Sequence, residues 1–567
     1  MRSLTAIALS LCVLAVACTQ KKSDDSIGSA PGSPTPAQAK PEPPPVALVV
    51  AYGSEKKTWL EDQVKRFQAS SAKTKSGKLI QIKTLAMGSG EAVQSIVAGE
   101  IKPHVFSPAS SAYIPLLNNA YAAKSGRAKA LSPAGEPIVL SPVVVAMWKP
   151  MAEALGWPAK SIGWADLIKV NADPKGWGGK GHPEWGRFKL GHTHPEYSNS
   201  GLLSVLAEAF AGAKKTRGLT AADLDAKPTQ AFIASVEQSI VHYGKSTGFF
   251  ADKMIERGPG YLSAAVLYEN VVIESYGKQT SAPFPIVSIY PVEGTFWSDH
   301  PYVVLDADWV KDDERDAAGV FLSFLKARPQ QERALELGFR PADPAISIGA
   351  PIDAAHGADP KQPQTLLEVP DAATLEKLLA VWQLTKKSSD IVLVFDKSGS
   401  MRGRPLAEAK LGAKAFLDIL HPRDEVTIIF FDGKVHPPIG PKKLEDAGKQ
   451  ELVSRIDSVI ADGKTALYDA TAEAHGIAQG KAQAAPGTIH AVVVMTDGND
   501  EGSQLTYSEL MKRFGAEDAP VKIFTIAYGD QVDSKILEQI ADAAKGSSAR
   551  GSPDTIAQVY RDMASFF

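Results

Sequence analysis

Five side chains in three separate segments carry oxygens of the kind that bind divalent cations. They are Asp396, Ser398 and Ser400 in the first segment, Thr465 in the second and Asp497 in the third. Alternate positions of an extended segment share a side, so the first three oxygens can converge on one point. All of these donors are oxygen, which favours a hard ion: Mg²⁺, or else Mn²⁺ or Ca²⁺. The alternative is that the two serines only cap the following helix.

Two apolar runs rich in β-branched residues precede the acidic residues and predict how they meet. Residues 391–395 end directly before Asp396, and residues 491–495 end two positions before Asp497. Such runs are typical of parallel strands that are buried on both faces. Ligands of such sheets bind outside the carboxyl ends of the strands, so we expect the two aspartates to lie together there.

This pattern resembles the von Willebrand factor type A (VWA) domain and its metal-ion-dependent adhesion site, over about residues 388–567. The resemblance implies that the hydroxyls of Ser398, Ser400 and Thr465 contact the metal and that the two aspartates often act through water. It also implies that a carboxylate from a protein partner completes the shell. Neutral hydroxyls leave the charge of the ion poorly neutralised, so the ion can attract an outside anion. Lys464 departs from the family pattern, in which glycine is common at this position.

The rest of this carboxy-terminal part alternates between helix and strand patterns. Apolar residues at helical spacing predict helices, and short apolar runs predict strands. In the order helix, strand, helix, strand, helix, these patterns cover residues 405–420, 424–431, 467–482, 521–528 and 535–544. The alternation predicts a doubly wound, Rossmann-like α/β sheet.

The amino terminus resembles the leader of a bacterial lipoprotein. Residues 4–17 form an apolar run that is too short to span a bilayer but suits the core of a signal peptide. The run ends in Ala-Val-Ala followed by Cys18, which resembles a lipobox and implies lipidation of that cysteine; the alternative is an ordinary secretory signal. We therefore expect residues 1–18 to be a lipoprotein signal peptide. Residues 19–45, rich in Pro, Ser and Lys, are expected to be a disordered tether to a membrane of the cell envelope, on the periplasmic side or at the outer membrane and cell surface.

The composition excludes several functions. The chain has 567 residues, enough for two or more domains, and a formal net charge of −3, which does not suggest a nucleic-acid partner. Both cysteines lie in the leader, so the folded part has no thiol chemistry. The sequence contains no recognisable nucleophile–base pair, Walker loop or His-Glu-x-x-His motif, and we expect it not to be an enzyme.

Small hydroxyl residues also follow predicted strands in the amino-terminal half. In order and placement they resemble the ligand positions of type 2 bacterial extracellular solute-binding proteins, over about residues 47–345. Such proteins close two α/β lobes around a solute. The resemblance implies contacts to a small solute from five side chains: Ser54, Ser89, Ser198, Ser200 and Tyr268.

Each of these serines has an alternative use as a helix cap or a turn former. Glu55, Glu91 and Glu269 stand directly beside the proposed contacts. Buried carboxylates at these places would disfavour a molybdate-like oxyanion, so either they point away or the solute is of another kind.

A second metal candidate lies in the loop before the predicted long helix of this half. His192, His194 and Glu196 offer two imidazoles and a carboxylate, a set that suits Zn²⁺. The alternative is that they form hydrogen bonds within a loop that contains proline.

These patterns predict the organisation of the whole chain. Residues 46–345 form a two-lobed domain like a periplasmic binding protein, residues 346–387 a linker with a helix, and residues 388–567 the VWA domain. The expected function is metal-dependent protein binding or adhesion by a lipid-anchored envelope protein, with the first half as a ligand-binding or scaffold domain. The alternative is a substrate-binding component that captures a small solute for an ABC-type transporter.

Overall fold

The computed structural model describes residues 43–278, 282–485, 487–514, 520–529 and 532–567. The predicted signal peptide with its lipidation site Cys18, and residues 19–42 of the predicted tether, lie outside the described residues. Within the described ranges, no helix is both long and apolar enough to cross a membrane.

The amino-terminal part alternates between short strands and helices. Its strands are β1 Val46–Gly53, β2 Ile80–Met87, β3 Val105–Ser107, β4 Glu136–Pro137, β5 Val139–Trp148, β6 Leu190–Gly191, β7 Ala264–Tyr268, β8 Ile286–Ile289, β9 Trp297–Ser298, β10 Pro301–Val304 and β11 Arg340–Pro341. Its helices are α1 Lys57–Ala69, α2 Ser89–Ala98, α3 Tyr113–Ser125, α4 Lys149–Ala154, α5 Trp164–Ala172, α6 Asn199–Ala213, α7 Ala221–Asp225, α8 Lys227–Glu237, α9 Thr247–Arg257, α10 Glu269–Ser275, α11 Asp312–Leu325 and α12 Arg328–Glu336.

These strands form two separate sheets, and each sheet is the centre of one lobe. The first has the order β2-β1-β3-β10-β4, with β1 parallel to β2 and β3. The second has the order β11-β5-β7-β6, and β8 and β9 also pair with β5. The chain passes from the first sheet to the second between β4 and β5, returns at β10 and passes over again at β11. The predicted two-lobed α/β architecture is therefore confirmed.

The carboxy-terminal part begins with α13 Ala372–Thr385. Its strands are β12 Ser389–Asp396, β13 Glu425–Phe431, β14 Ile439–Lys443, β15 Ile489–Thr496, β16 Val521–Tyr528 and β17 Ser548–Gly551. Its helices are α14 Arg404–Ile419, α15 Asp446–Asp457, α16 Leu467–Ala484, α17 Tyr507–Met511, α18 Ser534–Ala543 and α19 Ile556–Ala564.

These strands form one sheet of order β14-β13-β12-β15-β16-β17, which is parallel except for β14. Its central strand β12 is buried on both faces. Ile391 and Leu393 belong to the core on one side, and Val392 and Val394 to the core on the other. The continuous apolar run of β12 thus fits a parallel sheet that is covered by helices on both faces. The doubly wound fold is confirmed.

The two parts pack directly against each other within one compact unit, residues 44–567. Trp382 of α13 is fully buried and lies edge-on to Tyr243 of the second lobe, with ring centroids 5.3 Å apart. At the other end of the carboxy-terminal part, the carbonyl oxygen of Phe566 accepts a hydrogen bond from the backbone N–H of Tyr243 at 3.2 Å. The helix predicted in the linker is therefore packed against the second lobe.

Candidate metal site

The buried carboxylate of Asp396 lies at the end of the central strand β12 and is held from two sides. Its Oδ1 accepts the backbone N–H of Ser398 at 2.7 Å, and its Oδ2 accepts the hydroxyl of Thr496 at 2.5 Å. Thr496 is the last residue of the neighbouring strand β15, and its hydroxyl also accepts the N–H of Gly498 at 3.2 Å. The meeting of two parallel strand ends therefore fixes the orientation of this carboxylate.

A chain of hydroxyl contacts links the first segment to the third. The Oγ atoms of Ser398 and Ser400 lie 3.0 Å apart, and the Ser400 hydroxyl donates to Oδ1 of Asp497 at 2.7 Å. Ser398 is buried and Ser400 is exposed, so the group runs from the interior to the surface.

Thr465 joins the same group from the loop before α16. The backbone N–H of Gly399 donates to the carbonyl of Gly463 at 2.9 Å, which ties the two loops together. A methyl group placed on Gly498 would lie 3.2 Å from Oγ1 of Thr465 and 3.9 Å from Oγ of Ser400. The structure thus brings all five predicted side chains to one edge of the sheet, and glycine at 498 leaves the space between two of their hydroxyls open.

The two aspartates lie in an environment that disfavours their charge. Burial raises the pKa of Asp396 to about 6; the hydrogen bonds from Thr496 and Ser398 oppose the rise, and the charge of Asp497 adds to it. Burial also raises the pKa of Asp497, against the hydrogen bond from Ser400. A divalent cation between them would offset both effects, since it stabilises the ionised carboxylates.

The residues fit a hard divalent cation. Two carboxylates and three neutral hydroxyls make an all-oxygen donor set, as Mg²⁺, Mn²⁺ and Ca²⁺ prefer. The alternative use of the serines as caps is not what the structure shows. The helix α14 follows Gly403, and among the described side chains none caps it or the short 3₁₀ turn after Ser398.

Comparison with known proteins agrees with this geometry. Residues 390–557 match the family model of the von Willebrand factor type A domain. This part of the chain is a VWA domain. An uncharacterized protein of Synechocystis sp. (strain ATCC 27184 / PCC 6803 / Kazusa) is 28% identical over 163 residues, which are 28% of this chain and 36% of that protein. Inter-alpha-trypsin inhibitor heavy chain H4 of Homo sapiens is 26% identical over 165 residues, 28% of this chain and 18% of that protein. The chain thus spans well under half of the length of these relatives.

A solved structure is similar to part of this chain. A periplasmic thiamin binding protein aligns with a TM-score of 0.42 and 13% sequence identity, covering 60% of this chain and 96% of that one.

The five side chains predicted to contact a solute are bonded to protein groups in the structure. Ser54 Oγ accepts the N–H of Gly248 at 3.2 Å, and Ser89 Oγ accepts the N–H of Ala109 at 3.0 Å. The remaining three lie buried in the second lobe: Ser198 and Ser200 have their Oγ atoms 3.3 and 2.8 Å from Thr247 Oγ1, and Tyr268 accepts a hydrogen bond from Asn199 at 2.8 Å. The structure therefore assigns each of these oxygens an internal partner.

The two lobes are in contact at the amino terminus of α2, whose free N–H groups could otherwise bind an anion. The N–H groups of Gly90 and Glu91 both donate to the carbonyl oxygen of Tyr197, each at 3.0 Å. A methyl group on Gly90 would lie only 2.1 Å from the carbonyl oxygen of Glu196. A helix amino terminus that could hold an anion is thus occupied by backbone of the second lobe.

The glutamates beside the predicted contacts have protein cations as partners. Glu55 lies 3.2 Å from Lys56 and 3.3 Å from His300. Burial raises the pKa of Glu55, but these two neighbours outweigh it and lower the pKa to about 2. Glu269 accepts two hydrogen bonds from Arg340, each at 2.8 Å. Each of these carboxylates therefore already has a partner within the protein.

The alternative zinc set of His192, His194 and Glu196 does not come together. The imidazole of His192 points to Glu237, with Nε2 3.1 Å from Oε1. The ring of His194 lies 4.8 Å from that of Trp382, and Glu196 accepts a hydrogen bond from Gln383 at 2.8 Å. The three side chains face different neighbours because the loop turns between them.

Thr496 is the functional residue that sequence reasoning missed. It stands directly before Asp497 in the third segment, and its hydroxyl donates to the Asp396 carboxylate. The sequence did carry a signal. Thr496 is a hydroxyl residue at the end of an apolar strand, directly before an aspartate. Parallel strands end at the same edge of a sheet, so its side chain lies close to the end of the neighbouring strand.

Proposed function

We propose that this chain is a lipid-anchored protein of the bacterial cell envelope that binds a protein partner through a Mg²⁺ ion, with Mn²⁺ or Ca²⁺ as alternatives. The ion would be held by Asp396, Ser398, Ser400, Thr465 and Asp497. A carboxylate of the partner completes its shell, and the amino-terminal lobes carry the site as a scaffold. The observation that carries this proposal is the convergence of oxygens from three loops at one sheet edge.

The arrangement suits binding of an outside carboxylate. Three of the five donors are neutral hydroxyls, so an ion held there keeps part of its positive charge. Ser400 is exposed while Asp396 and Ser398 are buried, so such an ion has protein on one side and solvent on the other. A carboxylate from a second protein can therefore reach the ion and is attracted by its remaining positive charge.

The first test is calorimetric titration of the full chain with Mg²⁺. Asp396→Ala should abolish Mg²⁺ binding and the capture of an envelope protein that EDTA releases, with an unchanged circular dichroism spectrum. Asp462→Ala is the matched control, because this exposed carboxylate belongs to the neighbouring loop and lies 3.7 Å from Arg402. Mg²⁺-dependent capture by the Asp396→Ala variant would refute the proposal.

Cys18→Ser should move the chain from the membrane fraction to the soluble fraction if the anchor is a lipid.

A second candidate function is solute capture for an ABC-type transporter, and one observation favours it. Four buried polar atoms near the junction of the lobes have no hydrogen-bond partner among the described residues: Ser107 Oγ, Asn199 Oδ1, Asn270 Oδ1 and His300 Nε2. Buried polar atoms are normally satisfied, so a polar ligand could serve them when the lobes part.

Thermal unfolding of the full chain against oxyanions, sugars and amino acids discriminates the two functions. A ligand at a hundred times its Kd adds about 2.7 kcal/mol to the free energy of unfolding, which shifts the Tm by a few degrees. A shift with one solute class, unchanged by Asp396→Ala, supports capture of that solute. An unchanged Tm across the panel supports the scaffold.

A further inference from the structure

A second group of possible metal ligands lies in the core of the second lobe, away from the VWA sheet. His192 follows β6, Glu208 lies on α6 and Glu237 is the last residue of α8. All three side chains are fully buried. One ligand atom from each lies within 4.8 Å of those of the other two. Two carboxylates this close in an apolar core need a proton on one of them or a cation between or beside them.

The hydrogen bond on the far side of the imidazole determines what His192 offers to the group. Its Nδ1 lies 2.7 Å from the carbonyl oxygen of Thr193. A carbonyl oxygen only accepts, so Nδ1 carries the proton. The other nitrogen, Nε2, faces Oε1 of Glu237 at 3.1 Å. An imidazole whose Nδ1–H is fixed on a backbone carbonyl, with Nε2 aimed at oxygen ligands, has the orientation of a metal-bound histidine.

The two carboxylates are held in place by neutral donors, as metal-binding carboxylates are. Glu237 accepts hydrogen bonds from the hydroxyl of Tyr243 at 2.6 Å and from the indole N–H of Trp382 at 3.1 Å. Glu208 Oε1 accepts the hydroxyl of Ser204 at 2.9 Å. The second oxygen, Glu208 Oε2, is buried and has no hydrogen-bond partner among the described residues.

The two lysines that follow α13 have their hydrogen bonds elsewhere, and Lys386 Nζ donates to the carbonyl oxygen of Phe567 at 2.8 Å. Lys387 Nζ donates to the carbonyl oxygen of Ile240 at 2.8 Å. Within the described residues Glu208 Oε2 thus has no donor, which leaves this atom open to a proton or to a bound cation.

We propose that His192, Glu208 and Glu237 bind a divalent transition-metal ion of the zinc class. One imidazole nitrogen and two carboxylate oxygens are a donor set that suits Zn²⁺ and is distinct from the all-oxygen site at Asp396. The ion ties the loop after β6 to α6 and α8. Because Trp382 of α13 donates to Glu237, the ion also stiffens the contact between the second lobe and the helix that leads into the VWA domain.

Metal analysis of the full chain tests this centre. After growth with zinc and dialysis against a chelating resin, we expect about one equivalent of zinc in the wild type and in Asp396→Ala. Glu208→Gln, which keeps the shape of the side chain, should reduce the zinc content at least tenfold, in line with the loss of a ligand. Glu184→Gln is the matched control, because Glu184 forms an exposed pair with His182 at 3.0 Å in the same lobe. This control should retain its zinc.

A second measurement needs no variant of the centre. X-ray absorption of the zinc-loaded wild type should show one histidine nitrogen together with oxygen ligands. A spectrum with oxygen ligands alone would place the metal at the Asp396 site and overturn the proposal. So would a folded wild type that takes up less than about a tenth of an equivalent of zinc or cobalt, or a Glu208→Gln variant that binds as much as the wild type.

Discussion

The hydroxyl of Thr496 offers the sharpest test of how the sheet edge prepares the Asp396 site. Thr496→Val keeps the shape of a buried, β-branched strand residue and removes only the hydroxyl. That hydroxyl donates to Asp396 Oδ2 at 2.5 Å and accepts the N–H of Gly498 at 3.2 Å. The variant therefore leaves a buried carboxylate oxygen without a donor and releases the loop that carries Asp497.

The expected magnitude follows from these two bonds. A hydrogen bond to a charged group contributes about 1.5–3 kcal/mol, so the metal-free variant should unfold with a free energy lower by about 2 kcal/mol. Loss of a group that orients a metal ligand weakens metal binding about 10- to 100-fold. That factor corresponds to about 1.4–2.7 kcal/mol of binding free energy. Stability and Mg²⁺ affinity should thus fall together.

Urea unfolding without metal and calorimetric Mg²⁺ titration measure the two quantities. Thr427→Val is the matched control, because Thr427 is a buried threonine of the same sheet, on strand β13, and its hydroxyl has no hydrogen-bond partner in the described part of the chain. It should leave Mg²⁺ affinity unchanged and cost no stability. If Thr496→Val binds Mg²⁺ within twofold of the wild type, the hydroxyl does not position Asp396 for metal, and the reasoning fails.

Three further perturbations probe the frame around the sites. Arg340→Met should lower the free energy of unfolding by about 3–5 kcal/mol, because it leaves Glu269 buried and unpaired; in urea unfolding, adding Glu269→Leu should recover most of the loss. The pKa of Glu55, about 2 in the folded chain against an ordinary 4.5, adds stability that is present above pH 4.5 and lost as the pH falls towards 2. Glu55→Gln should therefore be less stable than the wild type at pH 7. Between pH 4.5 and pH 2 it should lose less stability than the wild type, measured as the change in the urea midpoint. Lys245→Met should speed amide hydrogen exchange in α2 and α19, because Lys245 Nζ lies 2.7 Å from a carboxylate on each; unchanged exchange would show that this junction does not hold the lobes.

The sequence predicted the VWA sheet well because its strands satisfy a local rule. Residues 391–395 and 491–495 are apolar on both faces, which only a doubly covered sheet explains, and the structure extends them to β12 and β15. The edge strand β14, Ile439–Lys443, was not predicted. It contains Gly440 and Pro441, which weaken any strand pattern, and it is held by one antiparallel neighbour, β13.

The candidate sites differ in how well the sequence alone could predict them. The oxygens at Asp396 and Asp497 follow strand ends, so topology alone places them together. The contacts of His192 could not be read in this way. Its partner Glu237 ends a helix 45 residues later, outside the set of His192, His194 and Glu196 that the sequence offered. The solute contacts at Ser89 and Ser200 stay predictions. Both hydroxyls have protein partners here, and a hydroxyl at a helix start has the same sequence signature whether it faces a ligand or a neighbouring loop.

The junction around Lys245 bears on which function the amino-terminal lobes serve. This lysine lies in the second lobe, and its ammonium contacts Glu91 of the first lobe and Asp562 of α19, each at 2.7 Å. Opening the lobes to admit a solute would break the first contact and the two hydrogen bonds to Tyr197 at the start of α2. The same lysine also contacts α19, and α19 packs on α14, the helix that follows the metal-binding loop, so contacts run without a break from the lobe junction to the Asp396 site. If a solute opens the lobes and a partner binds at Asp396, this connection predicts that each ligand changes the affinity of the other, and by the same factor. Two such ligands with no mutual effect would show that the Lys245 junction does not couple the lobes to the VWA domain.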